Sequence, residues 1–242
     1  MDMRRWFHSF SLFGLAVFVL WTGRIDIYAK QEETFDEQEA ELKPMFPDNF
    51  RDVLFIGDSR TVGLLECGQL GEADVFAKSG MTVFKLWDSE LYFGGDKKTL
   101  RQALTENQYQ VIHLMLGVNE LGYPTERIVE KYRETVKEVQ SMQRQAKIVL
   151  GANLHVTLEK SENSDIFNNR QINELNGKIE QIGQDLDCCY IDVNEEFDDA
   201  QGNLLKTYSA DGLHMLGEYY GDWARWLQER DSVSTPDIEV FE

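Results

Sequence analysis

Five short apolar runs alternate with helical periodicities along the chain, and that alternation restricts the possible folds most. The runs are Val53-Leu54-Phe55-Ile56, Val75-Phe76-Ala77, Val111-Ile112-His113-Leu114-Met115-Leu116, Lys147-Ile148-Val149-Leu150 and residues 188–193. An unbroken apolar run of this length reads as a strand covered on both faces. Between the runs, Ile128, Tyr132, Val136, Val139 and Met142 share one helical face behind Pro124, and Ile172, Leu175, Ile179, Ile182 and Leu186 share another. Tyr219, Trp223 and Trp226 or Leu227 close the domain on a last helix. Strand–helix alternation means βαβ units, so the expected fold class is a three-layer α/β/α sandwich with a doubly wound parallel sheet of about five strands.

Composition supports a core of that size and narrows the partners. The chain has 242 residues, 42% of them hydrophobic, and 43 acidic against 24 basic side chains give a formal net charge of −19. That balance argues against nucleic acid, whose phosphates need a basic footprint. The three cysteines, Cys67, Cys188 and Cys189, form no CxxC pair, and no HExxH or Cys/His cluster accompanies them, so no zinc site and no organic cofactor is implied. Cys188-Cys189 reads as buried strand filler.

The amino terminus carries a membrane signal. Arg4-Arg5 precedes an apolar run over residues 10–21, and Arg24 follows. A basic stretch before an apolar one addresses export machinery, and Arg4 and Arg5 predict the amino end inside the cell. The run is short for a spanning helix, and Ile27-Tyr28-Ala29 is a poor cleavage site, so residues 1–28 read as a signal anchor, a signal peptide, or a buried helix, the anchor being preferred. Acid-rich residues 29–50 read as an extended tether, 51–230 as the domain and 231–242 as a tail. The domain is then expected outside the cytoplasm, anchored through the amino-terminal segment alone, or secreted; the sequence does not address the oligomeric state.

In doubly wound folds ligands bind beyond the carboxyl ends of the strands. Those ends read Gly57-Asp58-Ser59-Arg60-Thr61, Ser79-Gly80-Met81-Thr82, Gly117-Val118-Asn119-Glu120 and Asn153-Leu154-His155, with Asp211-Gly212-Leu213-His214 before the last helix. A hydroxyl, a glycine, a carboxamide and an Asp-x-x-His on one sheet edge supply what acyl transfer through serine requires. Of the four histidines, His8 lies in the apolar amino-terminal segment and His113 sits mid-strand, where it reads as a core residue hydrogen-bonded to its neighbours. His155 and His214 remain, and only His214 has a carboxylate, Asp211, placed to hold its tautomer.

These residues resemble the SGNH hydrolases, also called GDSL esterases and lipases. Phe55-Ile56-Gly57-Asp58-Ser59 is similar to the family's first block, Gly80 to its second, Gly117-Val118-Asn119 to its third and Asp211-Gly212-Leu213-His214 to its fifth, in order, over residues 52–227. The resemblance implies a flavodoxin-like SGNH fold, with Ser59 as nucleophile, His214 as base and Asp211 as its orienting acid. It also implies an oxyanion hole from the Ser59 and Gly80 backbone N–H groups and the Asn119 side chain. The G-x-S-x-G elbow of the larger α/β-hydrolases is absent, because Thr61 stands at its last position. The third block usually reads Asn-Asp; here Glu120 follows Asn119, a longer carboxylate able to anchor that loop or to shift the Asn119 donor. Arg60 is either a substrate-binding or loop-fixing guanidinium or a plain structural one, and His155 either lines the pocket or sits on the surface.

The leading expectation is an esterase removing short acyl groups, acetyl above all, from small esters or O-acetylated glycans. A cell-envelope glycan O-acetyltransferase of similar fold is the alternative, and a non-catalytic envelope or carbohydrate-binding module a further one. A receiver-like or flavodoxin-like binding domain would need an acidic phosphoacceptor cluster or a phosphate-cradling loop at these strand ends, and neither is there.

Overall fold

Odd and even residues of each apolar run point to opposite faces of one sheet, which is why the runs show no polar alternation. In the computed structural model, residues 43–232 are described. The expectations for the amino-terminal segment, for residues 29–42 of the tether and for the tail beyond residue 232 lie outside them. No helix among the described residues is long and apolar enough to cross a membrane.

In chain order the elements are β1 (Lys43–Pro44), β2 (Val53–Gly57), α1 (Ser59–Cys67), β3 (Asp74–Ala77), β4 (Glu90–Phe93), β5 (Asp96–Thr99), α2 (Leu100–Glu106), β6 (Val111–Met115), α3 (Thr125–Met142), β7 (Lys147–Gly151), α4 (Leu158–Glu162), α5 (Asn169–Asp185), β8 (Cys189–Ile191), α6 (Asn194–Phe197), α7 (Tyr220–Gln228) and β9 (Asp231–Ser232). Five strands form an all-parallel sheet in the order β3-β2-β6-β7-β8. This is the expected doubly wound sandwich.

Leu54, Ile56, Ile112, Leu114, Ile148 and Leu150 face one layer, built from Leu100 and Leu104 of α2, Ile128, Tyr132 and Val136 of α3, and Ile172, Leu175 and Ile179 of α5. Val53, Phe55, Val111, Met115 and Val149 face the other, with Leu64 of α1, Phe197 of α6, and Tyr220, Trp223 and Leu227 of α7.

Three sequence readings change here. His113 is buried as expected, but its Nδ1 has no hydrogen-bond partner among the described residues; the ring packs on Phe55 at 5.2 Å and Phe46 at 6.2 Å, and burial pushes its pKa down to about 4, so the imidazole is neutral. The tether does not extend to residue 50: Met45, Phe46 and Phe50 are buried in the α7-side core, and β1 pairs antiparallel with β9 at the start of the expected tail. Cys188 and Cys189 are only half-buried, and strand β8 stops at Ile191, where Asp192 turns back to accept the Asn194 N–H.

Candidate active site

The turn from β2 into α1 builds the first half of the site. A side chain at Gly57 would lie 1.9 Å from Thr61 Oγ1 and 2.9 Å from the Met115 carbonyl, so only glycine fits where the helix leaves the sheet. Asp58 caps α1, its Oδ1 accepting the Arg60 N–H at 2.9 Å. Ser59 is therefore the first helical residue, at the positive end of the helix with its own N–H outside the helical ladder.

His214 Nε2 lies 3.1 Å from Ser59 Oγ, and His214 Nδ1 lies 2.7 Å from Asp211 Oδ2. Because Asp211 can only accept, Nδ1 carries the proton and Nε2 is left to receive the one on Ser59. Asp211 Oδ1 accepts the Leu213 and His214 N–H groups, each at 2.8 Å. Partial burial alone would raise the Asp211 pKa, but His214 and these two N–H groups outweigh it and hold the carboxyl well below the usual carboxylate range. Ser209 Oγ donates to the His214 carbonyl at 2.6 Å and closes the loop on itself.

The expected oxyanion donors come from two further strand ends. Gly80 has φ +72, with open space where a side chain would stand, and its loop is exposed. Gly117, at φ +134, turns β6 into a short 3-10 turn, Val118–Glu120, that presents Asn119. Asn119 Nδ2 donates to the Met81 carbonyl at 3.0 Å and, more loosely, to Asp58 Oδ2 at 3.3 Å. The amide thus joins the Gly80 loop to the cap of α1.

Glu120 is buried beneath this junction. Its Oε1 accepts the Val83 N–H at 2.5 Å while Oε2 has no partner among the described residues, and burial pushes its pKa up to about 7 against the pull of that N–H. The extra methylene lets the carboxylate anchor the Gly80 loop, so Asn119 and Gly80 are strapped together twice.

Arg60 and His155 do not line a substrate surface. Arg60 is 1% exposed, and its Nη2 donates to the Leu154 carbonyl at 3.1 Å and, weakly, to the Leu213 carbonyl at 3.4 Å. It fixes the loop after β7 and the loop carrying His214, which is the loop-fixing reading and not the substrate-binding one. Burial lowers its pKa, with Asp58 opposing. His155 is 6% exposed, with Nδ1 2.6 Å from Asp198 Oδ2 and Nε2 2.8 Å from Asn173 Oδ1. Burial disfavours its charged form, but Asp198 and Asn173 prevail and raise the pKa. It belongs to a buried polar frame rather than to the pocket or the surface.

That frame was not foreseen from sequence. Residues 152–157 run through the interior, so their backbone groups need partners. Asparagines provide them: Asn176 Oδ1 accepts from Asn153 N, Asn194 Oδ1 from His155 N, and Asn169 both accepts from Val156 N and donates to its carbonyl. The only sequence signal is the recurrence of asparagine along α5, at Asn169, Asn173 and Asn176, and at the start of α6, at Asn194.

A parallel α/β/α sandwich bearing a Ser–His–Asp relay at its strand ends defines a class of serine hydrolases. The GDSL-like lipase/acylhydrolase family model matches residues 55–221, and the chain belongs to that family, as a serine ester hydrolase. A GDSL-like lipase from Bacteroides thetaiotaomicron superposes with a TM-score of 0.55 at 16% identity, covering 72% of this chain and 83% of its own. An acetylxylan esterase from Geobacillus stearothermophilus superposes with a TM-score of 0.51 at 18% identity, covering 72% and 90%. No curated protein matches the chain.

Proposed function

We propose that this protein is an esterase for short acyl groups, acetyl foremost, that works outside the cytoplasm with Ser59 as nucleophile, His214 as base and Asp211 as the acid that orients it. The observation that carries the mechanism is the continuous relay Ser59 Oγ to His214 Nε2 at 3.1 Å and His214 Nδ1 to Asp211 Oδ2 at 2.7 Å. His214 takes the serine proton as Oγ attacks the ester carbon, and the Ser59 and Gly80 N–H groups with Asn119 receive the developing oxyanion. His214 then gives the proton to the departing alcohol, and a water molecule, activated the same way, releases the acid. Likeness to an acetylxylan esterase favours acetyl as the acyl group, and the Arg4-Arg5 and apolar amino-terminal run favours a place outside the cytoplasm. The test is hydrolysis of p-nitrophenyl acetate and p-nitrophenyl decanoate beside Ser59→Ala. Loss in the variant and preference for acetate are expected; equal rates in variant and wild type, or faster decanoate turnover, would overturn the reading.

A further inference from the structure

The loop after β7, residues 152–157, is bonded to each of the three segments that carry the site. Asn153 Oδ1 accepts the Val118 N–H at 3.0 Å, in the turn that presents Asn119. The Leu154 carbonyl accepts at 3.1 Å from the side chain of Arg60, the residue after Ser59. The Thr157 N–H donates at 3.0 Å to the carbonyl of Gly212, between Asp211 and His214. A shift of this one loop therefore moves Ser59, Asn119 and His214 relative to one another.

His155 stands in the middle of the loop and ties it to the elements behind. Its backbone N–H donates to Asn194 Oδ1 at 2.6 Å, at the start of α6. Its ring lies between Asp198 Oδ2, 2.6 Å from Nδ1, and Asn173 Oδ1 of α5, 2.8 Å from Nε2. Both partners are acceptors. A neutral imidazole has one N–H and satisfies only one of them, so the arrangement calls for an imidazolium with a proton on each nitrogen. The surroundings favour that form. The side chains of His155 and Asp198 are only 8% and 14% exposed, which leaves their attraction little screened. Asp192, just beyond β8, adds a second negative charge, while α5 offers the uncharged Asn173. Burial opposes the charge, but these partners prevail and keep the ring protonated above the ordinary imidazole range. When a proton does leave, it leaves most readily from Nε2, because the bond to Asp198 is the charge-assisted one. Two lone pairs then face each other at Asn173, and the loop loses its hold on α5.

We propose that His155 is a positioning residue of the acyl-transfer site: its imidazolium, held between Asp198 and Asn173, fixes the loop that keeps Ser59, Asn119 and His214 in register. The proposal rests on the esterase reading of Ser59, His214 and Asp211. His155 acts through the backbone of its loop and leaves the chemistry to the relay.

The test uses the full-length protein with p-nitrophenyl acetate, subtracting the rate of Ser59→Ala at each pH. In the wild type, kcat should decline on the alkaline side as His155 loses its charge, with KM unchanged. His155→Gln has no charge to lose, so it should lack that decline and show a kcat lowered about tenfold at neutral pH, since a misplacement of about 1 Å can cost about 10²-fold. Asp198→Asn removes the partner that holds the proton and should move the decline to lower pH. Nitrogen-15 spectra of the imidazole rings, assigned with either variant, should show two N–H protons on His155 at neutral pH and the loss of one together with the decline in kcat. A single proton on His155 at neutral pH, a ring that titrates without any decline in kcat, folded variants with wild-type kcat and pH profile, or a raised KM at unchanged kcat would each overturn the positioning role while the esterase stands. Should neither variant fold, the first two outcomes are read on the wild type alone. Equal activity of Ser59→Ala and wild type would overturn the esterase reading itself.

Discussion

At the scale of single residues, the site depends on side chains that reach across two loops. Asn119 donates to the Met81 carbonyl and to Asp58, and in the proposed mechanism it receives the oxyanion, so Asn119→Ala should lower kcat by about 10²- to 10³-fold, the usual loss for one such donor. Steady-state kinetics on p-nitrophenyl acetate decide this, with less than a threefold change as the contrary result. Glu120 leads to a different expectation. Its pKa in the fold, about 7, stands above its ordinary 4.5, so the folded state favours the neutral form. The penalty is absent below pH 4.5, grows as the pH rises through that range and is complete above 7. The gap corresponds to about 3 kcal/mol of stability lost with rising pH. Glu120→Gln keeps an acceptor for the Val83 N–H and has no such slope. Its stability relative to wild type in urea unfolding should therefore improve between pH 5 and pH 8, and an identical difference at both values would rule out this account.

At the scale of elements, the strand ends are tied together by buried groups that a sequence shows only faintly. Arg60 links α1 to the carbonyls of Leu154 and Leu213. Arg60→Met removes the donor from the buried Leu154 carbonyl and the partly buried Leu213 carbonyl but fills the same space, so a loss of about 1–3 kcal/mol is expected, with kcat falling more than KM rises because the His214 loop loosens. A shift in KM alone would point instead to contact with substrate. The five core strands were legible as unbroken apolar runs, and α3, α5 and α7 because their apolar residues recur every three to four positions. The relay was legible because Ser59 follows the first core strand directly and Asp211 and His214 form an Asp-x-x-His just before the last helix. The β4–β5 hairpin was missed although Gly94-Gly95, at φ +59 and +95, supplies a two-residue turn with both residues in the left-handed region. Asp96-Lys97-Lys98-Thr99 lacks the apolar residues that mark a strand, and its face lies largely in solvent. Arg60 stayed open between substrate and structure, and His155 was misplaced, for a related reason, since a charged side chain next to a nucleophile or at a strand end reads the same whether it faces substrate or a buried polar group.

At the scale of the whole molecule, the domain begins earlier than β2, the first strand of its parallel sheet. Phe46 is 1% exposed, its ring stacked 6.1 Å from Phe55 and set edge-on to Phe50 at 5.8 Å, on the sheet face opposite α3 and α5. The Met45 N–H donates to the Arg230 carbonyl at 2.6 Å, next to the pairing of β1 with β9. The segment after the acidic stretch is thus a strap that covers the edge of the α7-side core and joins both ends of the domain. Truncating a buried phenylalanine to alanine typically costs about 3–5 kcal/mol, a large share of the roughly 5–15 kcal/mol that hold a domain of this size together. Phe46→Ala should therefore lower the melting temperature clearly. A chain starting at residue 51 should fail to fold or aggregate, whereas one starting at residue 40 should fold and hydrolyse p-nitrophenyl acetate like the full-length protein. The strap lies at the amino ends of the strands, where Lys147 and Gln110 sit beside Phe46 and Pro47, and the relay lies at their carboxyl ends. Residual folded protein carrying Phe46→Ala should thus keep its KM. Equal melting temperatures for Phe46→Ala and wild type would mean that this segment rests on the domain without supporting it.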